Sequence, residues 1–174
     1  LYGFPVSNYA NMVQLALIEK GVAHEYVMTF PDQSPQYLAK SPRGKVPCLE
    51  TPQGFINEAS VILEYLEDSG VGKALLPTEP YARARARSLM KEIELYIELP
   101  ARTCFPEAFF GATLPDAIKA KAKDDLLAGF ATLKRHGSFA PYVAGDQFTV
   151  ADIVFLYSIE LAAAVGHRIF GLDL

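Results

Sequence analysis

The sequence predicts an α/β domain built on a four-stranded mixed sheet, followed by an all-α helical bundle. Three observations carry this prediction. Short β-like runs alternate with helical periodicity up to about residue 69, the pattern of a sheet covered by helices. Residues 69–80 then turn rich in Gly, Pro and Thr, the composition of a linker. Beyond them no strand pattern appears, only apolar residues at three- and four-residue steps. The expected boundaries are 1–69 for the first domain, 70–80 for the linker and 81–174 for the helical domain.

Each element has a local reason. Residues 1–4 read as a strand and 5–8 as the loop feeding a helix. Val13, Leu15, Ala16, Leu17 and Ile18 give that helix its apolar face, and Lys20-Gly21 closes it with a basic last turn and a glycine stop. A strand over 23–28 follows, then a proline-rich loop over 30–41 with a short helix at 36–39. Residues 46–50 and 54–57 form a strand pair around Thr51-Pro52-Gln53-Gly54, a turn with its proline early and its glycine last. Val61, Ile62, Tyr65 and Leu66 mark a helix over 58–68.

In the second half, Ala86, Leu89, Met90, Ile93 and Ile97 line one side of a helix over 81–98, which Pro100 ends or interrupts. Ile118, Ala122, Leu126, Phe130 and Leu133 define another over 115–135. Thr149-Val150-Ala151-Asp152 has the form of a capping box opening a helix that is apolar nearly all round, hence central to the bundle.

Half of the 174 residues are hydrophobic, enough for a real core, and the net charge of −4 comes from interspersed acids and bases. That pattern argues against nucleic acid or an anionic membrane as partner. Cys48 and Cys104 fit neither a zinc motif nor a disulfide framework, which points to a reducing cytoplasm. No signal peptide is visible. The longest apolar stretch, 150–165, is short for a membrane span and contains Asp152 and Glu160, so it reads as a buried helix. Asp124-Asp125 does not resemble a metal site, and His24, His136 and His167 lack ligand spacing, so no metal is expected.

The chemistry concentrates around Arg43-Gly44-Lys45-Val46-Pro47-Cys48-Leu49 and Asn57-Glu58-Ala59-Ser60-Val61-Ile62. Proline inside an apolar run fits where a strand is entered, and Val46-Pro47 is a candidate for a cis turn. Such a turn would leave the amide and carbonyl of Val46 free to pair with an extended peptide. Glu58 opens a helix whose first amides favour an anion. A short peptide would fit there.

With Ser7 upstream, these motifs resemble the glutathione S-transferase family. The resemblance covers most of the chain: the Leu-Tyr-Gly strand, Pro-x-Ser before the first helix, Gly-Lys-Val-Pro-x-Leu, the Glu-opened helix ending Glu-Tyr-Leu-Glu, and Gly-Asp-x-Phe-Thr-x-Ala-Asp. It is similar to the bacterial, serine-containing, theta- or zeta-like members. The resemblance implies a thioredoxin-like first domain, glutathione as co-substrate, a homodimer and a role in detoxification. It assigns Ser7 to the glutathione thiolate, Lys45 to the glycine carboxylate, the backbone of Val46 ahead of Pro47 to the cysteinyl residue, and Glu58 to the α-ammonium. Ala59 and Ser60 are placed by it at the γ-glutamyl carboxylate, where relatives usually carry Ser at the Ala59 position. Because the family usually has further helices, terminal segments are expected beyond this chain.

Bland readings stand beside these. Ser7 can simply cap the first helix, Glu58 can pair with the helix dipole, and Lys45 can be a solvated loop lysine. Tyr9 is a rival hydroxyl placed for packing. Cys48 and Cys104 read as core cysteines, and Arg83, Arg85 and Arg87 as a solvated face. Tyr96, Phe105, Phe109 and Phe110 offer aromatic surface for an apolar second substrate or ordinary packing. The function the resemblance implies is a transferase that conjugates the glutathione thiolate to a small hydrophobic electrophile; a glutathione-dependent isomerase or peroxidase on the same site and a non-catalytic binding module are the alternatives.

Overall fold

The computed structural model describes residues 1–174, which divide into two compact units, Leu1–Leu76 and Pro77–Leu174. In the first unit four short strands, β1 (Tyr2–Gly3), β2 (Val27–Met28), β3 (Cys48–Thr51) and β4 (Gly54–Asn57), form a sheet of order β2-β1-β3-β4. β2 runs parallel to β1, and β3 runs antiparallel to both β1 and β4. This is the expected four-stranded mixed sheet of a thioredoxin-like domain.

Helices α1 (Asn8–Glu19) and α3 (Ala59–Asp68) pack on each other, burying Ala10, Met12, Val13, Ala16 and Leu17 of one and Ile62, Leu63 and Leu66 of the other. Gly3 permits the close approach of α1 to β1, since a Cβ there would stand 2.6 Å from that of Ala10. A single short turn of helix, α2 (Pro35–Leu38), is capped by Ser34, whose hydroxyl accepts from Tyr37 N at 3.3 Å.

Residues 70–76 are not linker. Glu67, near the end of α3, accepts from the amides of Leu75 at 3.0 Å and Leu76 at 3.1 Å, and its carboxylate meets Lys20 Nζ at 2.6 Å. Lys20 also donates to Lys73 O at 2.9 Å. Both charges are almost completely sealed from water, with side-chain exposures of 2% each, and Leu75 and Leu76 are buried. The glycines that read as a linker instead let this segment fold back; Gly72 has φ 66° and a Cβ there would meet Lys20 O at 2.1 Å.

The second unit is all helical. The Glu79 carboxylate accepts from Tyr81 N at 2.8 Å and Ala82 N at 2.6 Å, opening α4 (Pro80–Ile93). Of the two outcomes expected at Pro100, the helix is interrupted rather than ended. The chain passes through a wide π turn, Glu94–Glu98, into α5 (Leu99–Thr103). Pro100 has no N–H for the Tyr96 carbonyl, and Gly129 closes on that oxygen instead, so near that a Cβ would stand 2.0 Å from it. Next comes α6 (Phe105–Phe110), a six-residue helix the sequence reading left out, and then α7 (Asp116–His136).

Last is α8 (Val150–Val165), opened by the expected capping box and continued by a π turn to Phe170. Together they make 21 residues, long and apolar enough by composition to cross a membrane, so the argument from shortness does not hold. Within this unit, Ile153, Leu161, Ala162 and Val165 are buried and α8 packs along α4. Nor are the α4 arginines a solvated face. All three are half-buried; Arg85 donates to His136 O at 3.0 Å and also meets the His136 ring, whose other nitrogen meets Glu92. The small alanines between them leave room for the guanidinium groups to lie along neighbouring backbone.

Candidate functional site

The strand register brings the predicted residues to one edge of the sheet. Cys48, the first residue of β3, pairs with Tyr2 of β1 and with Asn57, the last residue of β4. Because β1 and β4 both run opposite to β3, their C-terminal ends point to the edge where β3 begins. Ser7 follows β1 there, Val46-Pro47 precedes β3, and Glu58 follows β4. The N-termini of α1 and α3 therefore share this edge, and both present the positive end of a helix dipole.

Ser7 is half-buried and caps α1; its hydroxyl oxygen accepts from Ala10 N at 3.3 Å. A hydroxyl carries one donor and two acceptor sites, so the cap occupies a lone pair and leaves the O–H proton for another acceptor. Capping and thiolate stabilisation are thus compatible roles for one side chain. Tyr9, the second residue of α1, is half-buried in its first turn.

The Val46-Pro47 bond is cis, with Pro47 buried and Val46 half-buried. Val46 makes no hydrogen bond within the chain through either its amide or its carbonyl. Lys45 extends an exposed side chain, while its backbone is held: its carbonyl accepts from Tyr37 Oη at 3.0 Å and Ser41 Oγ at 2.8 Å, and its amide donates to Ser41 Oγ at 3.1 Å.

Glu58 is exposed and sits at φ 67°, ψ 118°, a conformation unfavourable for any residue with a Cβ. Its side chain makes no capping hydrogen bond, so the first amides of α3, beginning with that of the buried Ala59, have no side-chain acceptor at the cap. Ser60, half-buried, already makes an interaction of its own within the chain. Asn57, just before Glu58, donates from Nδ2 to Lys40 O at 3.1 Å, and its Oδ1 is buried without a partner.

Of the other candidates, Cys48 belongs to the first unit and Cys104, Tyr96, Phe105, Phe109 and Phe110 to the second. Cys48 is completely buried, its thiol sits 3.6 Å from Lys40 O, and burial pushes its pKa up, which disfavours the thiolate. Burial likewise pushes up the Cys104 thiol in the second unit. Phe105 contacts Phe109 and Phe110 at centroid distances of 4.8 and 5.3 Å, with the Arg102 and Arg168 guanidinium groups over Phe105 and Phe109. Tyr96 lies apart from that cluster, in a groove of about 550 Å³ beside Gly129. No sequence pattern marks Tyr37 or Ser41, whereas Asn57 stands in the same stretch as Glu58 but without a role of its own.

Known proteins are similar to this chain over most of its length. The glutathione S-transferase N-terminal domain family matches residues 1–73, and the glutathione S-transferase C-terminal domain family matches residues 115–173. A glutathione S-transferase of Pseudomonas putida is 60% identical over 99% of this chain and 79% of its own length. Among solved structures, a delta-class glutathione transferase of Nilaparvata lugens superposes with a TM-score of 0.78 at 27% identity, covering 91% of this chain and 76% of that one. A maleylacetoacetate isomerase of Methylobacterium extorquens, solved with bound malonate and glutathione, superposes with a TM-score of 0.74 at 33% identity, covering 99% of this chain and 83% of that one.

Proposed function

The chain belongs to the glutathione S-transferase family, and on that premise we propose that it conjugates the glutathione thiolate to a small hydrophobic electrophile at the edge where β1, β3 and β4 meet. The observation that carries this reading is the convergence there of a half-buried serine hydroxyl, an unpaired Val46 backbone and the uncapped start of α3. Glutathione is an extended tripeptide with a carboxylate at each end. Val46 offers its cysteinyl residue both a donor and an acceptor, as an added strand would. The Ala59 amide and the α3 dipole receive the γ-glutamyl carboxylate, Glu58 takes the α-ammonium, and Lys45 reaches the glycine carboxylate. Ser60 stands beside this carboxylate subsite, and Pro47 holds the turn.

Once bound, the thiol loses its proton to solvent and the thiolate accepts the Ser7 hydroxyl proton as a hydrogen bond. A shift of about two units from the free thiol value is worth roughly 2.7 kcal/mol and leaves most of the sulfur nucleophilic at neutral pH. The sulfur then forms a C–S bond to the electrophilic carbon, whose leaving group departs with the bonding pair. This chemistry needs positioning and thiolate stabilisation, and no metal. Ser7→Ala should lower kcat about 10- to 100-fold and leave glutathione KM nearly unchanged, because a thiolate hydrogen bond matters most when the sulfur is ionised. Full activity in that variant overturns the role of Ser7.

A second reading, glutathione-dependent isomerisation, is favoured by the isomerase of Methylobacterium extorquens and by a Rhizobium meliloti maleylacetoacetate isomerase 26% identical over 99% of this chain. Product analysis separates the two, since an isomerase regenerates glutathione and a transferase consumes it. We further place the protein in the cytoplasm as a homodimer serving detoxification. Two buried free cysteines accord with a reducing compartment, and sedimentation at micromolar concentration tests the dimer.

A further inference from the structure

We propose that Tyr37 and Ser41 are positioning residues for glutathione: their buried hydroxyls clamp the Lys45 backbone and so fix the direction in which Val46 presents its free amide and carbonyl. The inference rests on the glutathione reading of the site. Three hydrogen bonds converge on one residue. The Lys45 carbonyl accepts from both hydroxyls, using both of its lone pairs, and its amide donates back to Ser41 Oγ. Tyr37 and Ser41 are almost sealed from water, at 6% and 2% exposure.

Other bonds hold the loop only as far as Gly44, whose carbonyl accepts from Asp32 N at 3.0 Å and whose amide donates to Ser41 O at 2.8 Å; at Lys45 itself the two hydroxyls are what fix the backbone. Lys45 and its neighbours Pro42 and Arg43 are exposed, Gly44 sits at φ 62°, and no strand ladder begins before Cys48. A loop of this kind samples many backbone directions unless side chains fix it. The same short segment is anchored from its other side. Lys40 O accepts from Asn57 Nδ2, the residue before Glu58, and receives the Cys48 thiol. The hydroxyls thereby tie the Val46 docking backbone to the element that also holds the Glu58 end of the site. Burial contributes as well: the Tyr37 hydroxyl is pushed up to about 12, so it remains a donor throughout the working pH range.

The test uses Tyr37→Phe and Ser41→Ala in the full chain, with two readouts. In Tyr37→Phe the bond between the Lys45 amide and Ser41 is left in place, so hydrogen exchange at that amide reports whether the loop itself has loosened. Exchange about tenfold faster is expected, together with a glutathione KM raised about tenfold in each variant and kcat within about twofold, the loss of roughly one net hydrogen bond from a ground-state contact. A thermally weakened variant with unchanged KM, or unchanged exchange in Tyr37→Phe, overturns the proposal. If the wild-type protein shows no glutathione-dependent activity and no glutathione binding, the functional reading fails. The clamp is then decided by exchange alone, faster exchange sustaining it and unchanged exchange overturning it.

Discussion

The N-termini of α8 and α3 solve the same physical problem in opposite ways. At α8 the chain's own side chains close the helix start. Thr149 Oγ1 accepts from Ala151 N at 3.2 Å, while Asp152 accepts from Thr149 N at 2.7 Å and from Val143 N at 2.8 Å, all of it buried. At α3 the cap residue is Glu58, with positive φ, no side-chain bond to the helix and full access to solvent. A helix needed only for stability closes its amides with its own side chains. A helix start left open in this way, with a strained residue at its cap, is the form suited to an anionic ligand.

Substitutions can break that contrast. The largest effect is expected at α8: Asp152→Ala strips acceptors from two buried amides and should destabilise the protein by about 3 kcal/mol, read as a lower urea midpoint. Glu58→Gly should act in the reverse sense. Relieving the positive φ should raise stability by about 1 kcal/mol while glutathione binding weakens, and calorimetry together with urea unfolding measures both. If this variant binds glutathione as well as the parent, the strained residue has no part in recognition.

Glu98 sharpens the comparison through pH. It is fully buried on the π turn, with Oε1 taken by the Arg102 guanidinium and Oε2 without a hydrogen-bond partner. Burial raises its pKa above the usual Glu range, an effect that Arg102 offsets in part. The folded protein therefore holds this proton more tightly than the unfolded chain. Its contribution to stability is fully present below the ordinary Glu value and is lost as pH rises through the raised one. Glu98→Gln should flatten that decline above the ordinary Glu range, from about pH 4 upward, in urea titrations; an identical decline would assign it to other groups. The smallest effect is expected for Ala59→Ser, which adds a hydroxyl at the open end of α3 and should tighten glutathione binding about fivefold.

Much of this was legible in the sequence wherever the determining residues are close together. The Thr149–Asp152 box, the proline at the entry to β3 and the alternation of strands and helices each follow from neighbours within a few positions. What escaped depends on distant partners. Lys20 reads as an ordinary basic last turn and 70–76 as a linker, because nothing local reveals that Lys20 meets Glu67 across 47 residues and that Leu75 and Leu76 are drawn in by the same carboxylate. Pro100 reads as ending or interrupting a helix without deciding which, because the wide turn before it and the facing Gly129 lie outside any local rule. At Ser7 the sequence set capping against catalysis, whereas the hydroxyl geometry accommodates both.

The most direct test of the account is the ionisation of glutathione when bound. Thiolate absorbance followed against pH should give a midpoint about two units below that of the free thiol in the native protein, and a midpoint near the free value in Ser7→Ala. The same lowered midpoint in both proteins would contradict the account, because the hydroxyl at the start of α1 would then contribute nothing to holding the negative sulfur.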